Sequence, residues 1–166
     1  MNTTSSVQVG VSGPAVWVRV HGRGSFQNSA GLKEFAAEMT ARGHREFVVD
    51  LKDCELMDST FLGTLAGIAL KLRPAGQLRV IRANDRCRSV MANLGLDRVF
   101  TVDGPVPEAP PAAALEDTDR LPHPAKRETM IEAHENLVEA DPGNAVRFKD
   151  VLEFLRHREP EAQGRP

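Results

Sequence analysis

The chain has 166 residues, 41% hydrophobic and 27% charged, with a formal net charge of −2. Such proportions belong to folded globular proteins and exclude a wholly disordered chain, a coiled coil and a disulfide scaffold; the length allows one sizeable core with chain left over. The charge is unevenly spread: residues 1–100 carry 13 basic and 9 acidic side chains, and residues 101–166 carry 8 and 14. Neither half, at +4 and −6 and with 5% aromatic residues overall, reads as a nucleic-acid surface.

Residues 61–72 form the longest mainly apolar stretch, short of the ~20 residues a membrane span needs. MNTTSSVQVG lacks the basic start and apolar run of a secretory signal, so a cytoplasmic location without a membrane partner is expected. Cys54 and Cys87 suit a reducing compartment. The five histidines, His21, His44, His123, His134 and His157, show no ligand spacing, so neither a metal nor another cofactor is expected.

In chain order, the valine-rich runs at 7–11 and 14–20 predict two strands joined through Ser12, Gly13 and Pro14 as a hairpin. Leu32, Phe35, Ala36 and Met39 share one helical face in a segment that Ser29 can cap and Gly43 can end. EFVVDL reads as a central parallel strand. A helix over 59–72, a break at 73–76 and the strand QLRVI repeat the theme. A third helix, capped by Asn84 or Asp85 and carrying Cys87, Val90, Met91 and Leu94 on one face, stops at Gly95 before the strand VFTV. Strands alternating with helices predict an α/β domain with a mostly parallel sheet of four to five strands. This domain occupies 1–104. A proline-rich acidic linker follows over 105–125, then a C-terminal helical hairpin over 126–158 and a tail over 159–166.

The chemistry concentrates in VVDLKDCELMDSTFLGTLAGIALKL. Asp58 directly precedes an apolar helical pattern and can accept from the amides of Thr60 or Phe61, which places Ser59 in the first turn, beyond the C-terminal end of the central strand. A hydroxyl there is expected to be exposed. Ser59 stands in M-D-S-T-F, not in the G-x-S-x-G of a serine hydrolase, so the protein is not expected to be an enzyme.

The pattern of apolar strand, D-L, short loop, M-D-S-T, x-L-G and apolar helix resembles the STAS domain of bacterial anti-sigma factor antagonists. The break before QLRVI and the ending MANLGLDRVFTV extend the resemblance over residues 7–102. It implies that Ser59 is phosphorylated by an anti-sigma factor serine kinase, with Thr60 as second choice, and that a PP2C-type phosphatase reverses this. Partner contacts would gather on Asp58, Ser59, Thr60 and Phe61, with Arg23 and Ser25 in the neighbouring loop. Phe61 stands where the family usually has a small residue, and Arg23 and Ser25 stand where it has a glycine, an acidic residue and an aspartate. The alternative from another class is a constitutive accessory subunit of a transporter ATPase, in which Ser59 only helps to start the helix.

Other features have plainer readings. Gly22-Arg23-Gly24 reads as a turn, because the full phosphate-cradling patterns are missing. Gly63 and Gly67 read as close helix–sheet packing, and Arg79, Arg82, Arg86 and Arg88 as a solvated basic face. In the hairpin, Met130, Ile131, His134, Leu137 and Val138 share a face, as do Phe148, Val151, Leu152 and Leu155, with a break at Asp141-Pro142-Gly143-Asn144. Helices this short need a surface to pack on. The charge split favours the chain's own domain, in cis or by exchange within a homodimer, with control of access to Ser59 as the expected consequence.

Overall fold

Alternating valines build one side of the sheet. In β1 (Ser6–Ser12) and β2 (Ala15–Gly24) the residues Val7, Val9, Val16, Val18 and Val20 point to one buried face, and Gly13, at φ +57°, turns the chain between the strands. The computed structural model describes residues 5–104, 108–118 and 126–157. β1 and β2 pair antiparallel; β2 then runs parallel to β3 (Glu46–Asp50), β3 to β5 (Gln77–Ile81) and β5 to β6 (Thr101–Val102). The order of these strands is β6-β5-β3-β2-β1. The expected α/β class with a mostly parallel sheet is therefore present. Two short strands add to the expected four or five. β4 (Cys54–Met57) lies parallel to the end of β2, and β7 (Glu116–Asp117), inside the proline-rich stretch, pairs with β1. Neither is long enough to show a period in sequence.

Helices α1 (Phe26–Ala41), α2 (Ser59–Leu72) and α3 (Asp85–Asn93) follow the predicted positions with one shift. Ser25, not Ser29, starts α1: its hydroxyl accepts from the Gln27 amide at 3.2 Å, while Asn28 Oδ1 accepts from the Ser25 amide at 2.9 Å. This reciprocal cap lengthens the helix and buries Ser29, whose hydroxyl donates to the Ser25 carbonyl. For α3, Asn84 is the cap, accepting from the Cys87 amide at 2.8 Å, and Gly95 ends the segment at φ +75°. The main core runs from Val7 to Phe100 and also takes in Leu137.

On the second sheet face Asp50, 1% exposed, is held by Arg82 at 2.5 Å and Arg19 at 3.4 Å. Arg82 is thus drawn into an ion pair, and Arg88 pairs with Asp103 at 2.7 Å, so the arginine set is not a uniform solvated face. The Asp50 carboxylate beside it holds the Arg82 guanidinium above its ordinary range.

The C-terminal pattern gives three helices where two were predicted: α4 (Lys126–Ala140), α5 (Asn144–Arg147) and α6 (Lys149–His157). The second predicted helix breaks at Phe148. Asp141 Oδ1 accepts from the Gly143 amide, and the buried Asn144 side chain donates to the carbonyls of Leu94 and Leu137, at 3.0 and 2.8 Å.

Candidate functional site

Asp58 organises the site. It sits between β4 and α2 with extended backbone, and its amide donates to the Gly24 carbonyl at 2.8 Å. One carboxylate oxygen accepts from the Phe61 amide at 2.9 Å, as predicted for a cap; the other accepts from the Phe26 amide at 3.0 Å. A single side chain therefore serves the N-termini of both α1 and α2, two positive dipole ends that favour its charge. Ser59 takes the first helical position beside it.

The predicted partner set divides by depth. Asp58, Ser59 and Ser25 are half-buried and Arg23 is exposed. Thr60 is 3% exposed and Phe61 0%. Phe61 therefore offers no ring to a partner, contrary to its placement among the contact residues: a helix entering over β4 turns this position inward, against Gly24, where an added Cβ would lie 2.5 Å from the ring. The bulk that departs from the family pattern is absorbed by a glycine across the gap.

Ser59 is less exposed than expected. Its hydroxyl lies 2.8 Å from Nε2 of His134 on α4, 75 residues away in sequence. His134 is 2% exposed, its Nδ1 is 2.7 Å from the Met130 carbonyl, and its ring meets Phe148 edge-on at 5.0 Å. Since a carbonyl only accepts, the proton sits on Nδ1, and in the neutral ring Nε2 accepts from the Ser59 hydroxyl. The separation suits a nucleophile and its base, and two neighbouring amides are already taken: the Phe61 amide by the Asp58 carboxylate and the Leu62 amide by the Asp58 carbonyl. The cavity of about 370 Å³ between α1, α2 and α4 is not lined by Ser59 or His134.

Sequence reasoning placed His134 on an apolar stripe without giving it a role. A lone histidine among core positions needs a polar partner, and that need was the available signal.

Gly63 and Gly67 also serve a different neighbour from the predicted one. They face α4, not the sheet: a Cβ on Gly63 would lie 2.0 Å from the Ala133 carbonyl oxygen, and one on Gly67 would lie 2.2 Å from Nδ2 of Asn136. Asn136 donates back to the Gly63 carbonyl at 3.2 Å. Nearby, Glu132 bridges Lys33 of α1 and Lys71 of α2. Burial works to raise the Glu132 pKa, but the two lysines together hold it below the usual carboxylate value.

Cys54 and Cys87 meet beneath β4. Contact with Cys87 and burial push the Cys54 thiol up, which keeps it protonated. Among the described residues no three His, Cys, Asp or Glu side chains gather as metal ligands, and no helix is long and apolar enough to cross a membrane.

Comparison with known proteins follows the same outline. No curated protein matches the chain. Among solved structures, an anti-sigma factor antagonist from Mycobacterium paratuberculosis is similar with a TM-score of 0.55 at 21% identity, over 62% of this chain and 88% of that one. A Thermotoga maritima protein assigned as an anti-sigma factor antagonist gives a TM-score of 0.54 at 18% identity, over 59% of this chain and 86% of that one. At these identities the likeness speaks for the fold. The family model described as "Mlab, STAS domain" matches residues 7–103, more than half of the sequence, and the chain belongs to the STAS domain family.

Proposed function

We propose that the protein is an anti-sigma factor antagonist in a bacterial partner-switching pathway, a binding regulator and not an enzyme. With Ser59 unphosphorylated it binds an anti-sigma serine kinase; phosphate on Ser59 ends that binding, and a PP2C-type phosphatase restores it. The observation that carries this reading is the position of Ser59 at the start of α2 with the cap already made by Asp58. Its hydroxyl is not needed to cap the helix, and its one partner is His134 of α4, outside the helix it starts. Thr60 is the weaker acceptor because it is buried beneath the helix start.

Charge sets the direction of the switch. Phosphate adds about −1.5 to −2 charges, and a helix N-terminus favours an anion by about 0.3–1 kcal/mol, so the body of the domain stays folded. The cost falls on a partner surface that would have to desolvate a dianion next to Asp58. Intact mass after incubation with a candidate anti-sigma kinase and ATP is the test. One phosphate on the unaltered chain and none on Ser59→Ala supports the reading; phosphate retained on Ser59→Ala rejects it.

A second reading, a constitutive accessory subunit of a transporter ATPase, draws support from the hydrogen bond that already engages Ser59. In that case no phosphate is taken up, and affinity for the ATPase is the same for Ser59→Ala and Ser59→Asp.

A further inference from the structure

We infer that the α1/α2 face is a helix-docking surface with Ser59 at its rim, and that the chain's own C-terminal helices fill it as a displaceable cover. This rests on Ser59 being the regulated residue of the proposed function and adds how access to it is controlled.

Three observations fit together. First, α2 is built to be covered: its residues from Thr60 to Ala69 are all buried, so the helix has no face turned to water. Second, the contact is a close helix crossing. Gly63 and Gly67 leave no room for a Cβ against Ala133 and Asn136, the crowding expected where backbones approach through small residues. Third, the cover closes on the hydroxyl itself through His134, whose other nitrogen is fixed by the Met130 carbonyl. A kinase must reach the Ser59 oxygen in line with the transferred phosphoryl group, and His134 occupies that approach.

The joint combines apolar and directional contacts. Leu137 belongs to the core, Ala140 and Phe148 pack against it and Ala133 is buried against Gly63, while polar links join Asn136 to Gly63, Asn144 to Leu94, Glu132 to two lysines and Arg147 to the Asn93 carbonyl. Thr118, bonded to the Val7 carbonyl, anchors the chain a few residues before α4, so the cover acts at the high effective concentration of a short tether. A partner helix with a small residue at the Gly63 crossing can take its place. Linkage then works both ways: a cover that excludes phosphate is expelled by phosphate.

The test uses the full chain carrying Ser59→Cys, with iodoacetamide as probe; Cys54 and Cys87 are buried, and the labelled peptide is identified by mass. Gly63→Val wedges the crossing from α2, and Ala133→Arg wedges it from α4 without touching the body. Both should remove amide protection from residues 126–157, leave the sheet protected, and raise alkylation at position 59 at least tenfold. With Ser59 in place, the same wedges should speed phosphorylation by an anti-sigma kinase by a similar factor. Loss of protection in 126–157 with an unchanged alkylation rate overturns the cover, whatever the kinase does. Faster alkylation with no phosphate on any variant leaves the cover standing over a docking face and rejects Ser59 as the phosphoacceptor. If Gly63→Val fails to fold, Ala133→Arg carries the same outcomes.

Discussion

In the body that precedes Asp103 the buried side chains are mostly aliphatic or aromatic and form two clusters, one on each sheet face, whereas α4–α6 meet that body through Leu137, Ala140 and Phe148 together with two asparagines, a histidine and a glutamate shared by two lysines. The first kind of contact is non-directional and scales with apolar area, so it is lost all at once. The second adds directional links that depend on particular polar partners. Each polar link contributes about 0.5–1.5 kcal/mol, and the proposed cover would open below the free energy of global unfolding. In the proposed cover, one fold holds a durable unit and a yielding one, with the Ser59 hydroxyl at the seam.

The largest effect should come from the durable side. Phe61→Ala removes a fully buried ring and should cost about 3–5 kcal/mol, seen in urea denaturation as one cooperative loss of the whole body. If only residues 126–157 lose protection, the division between the two regions is drawn in the wrong place. Asp58→Ala comes next, because it strips the acceptor from two helix starts. At about 0.5–2 kcal/mol for each cap the loss should be roughly 2 kcal/mol and global, with both α1 and α2 fraying in amide exchange.

Asn144→Ala probes the yielding side. It leaves the buried carbonyls of Leu94 and Leu137 without their side-chain donor, at about 1–3 kcal/mol, and the exchange increase should be confined to 126–157. A drop in the midpoint of global unfolding as large as that of Asp58→Ala would merge the two regions into one.

The smallest effect is on pH. Glu132 has its pKa depressed in the closed form, so its contribution to docking is complete above the ordinary carboxylate value and fades as the pH falls through the lowered one. Amide protection of α4 should weaken below the ordinary carboxylate range before that of the sheet does. In Glu132→Gln this acid step should disappear, and high salt should mimic it.

Much of the body was legible because its determinants are local. The valine alternation of β1 and β2, the apolar run of β3, the cap at Asp58 and the helical spacing of Cys87, Val90, Met91 and Leu94 are each written within a few residues, and capping and periodicity act over that range. Ser59 at a helix start followed from the same local logic. Ser25 replaced Ser29 as a cap because a reciprocal bond with Asn28 competes well over the same four residues. β7 escaped because two residues show no period and its partner β1 lies about a hundred positions upstream.

What only the tertiary structure decided is which surfaces meet. A glycine pair on α2 accepts a strand or a helix equally well, and an apolar stripe with one histidine says that a polar partner is needed without saying which. Local energies are blind to a contact between residues 75 positions apart, since it depends on shape match and on satisfying buried polar atoms after the chain has folded back. The serine and its helix start were thus determined by sequence, while the histidine that covers the hydroxyl was chosen by the packing of α4 across Gly63 and Gly67.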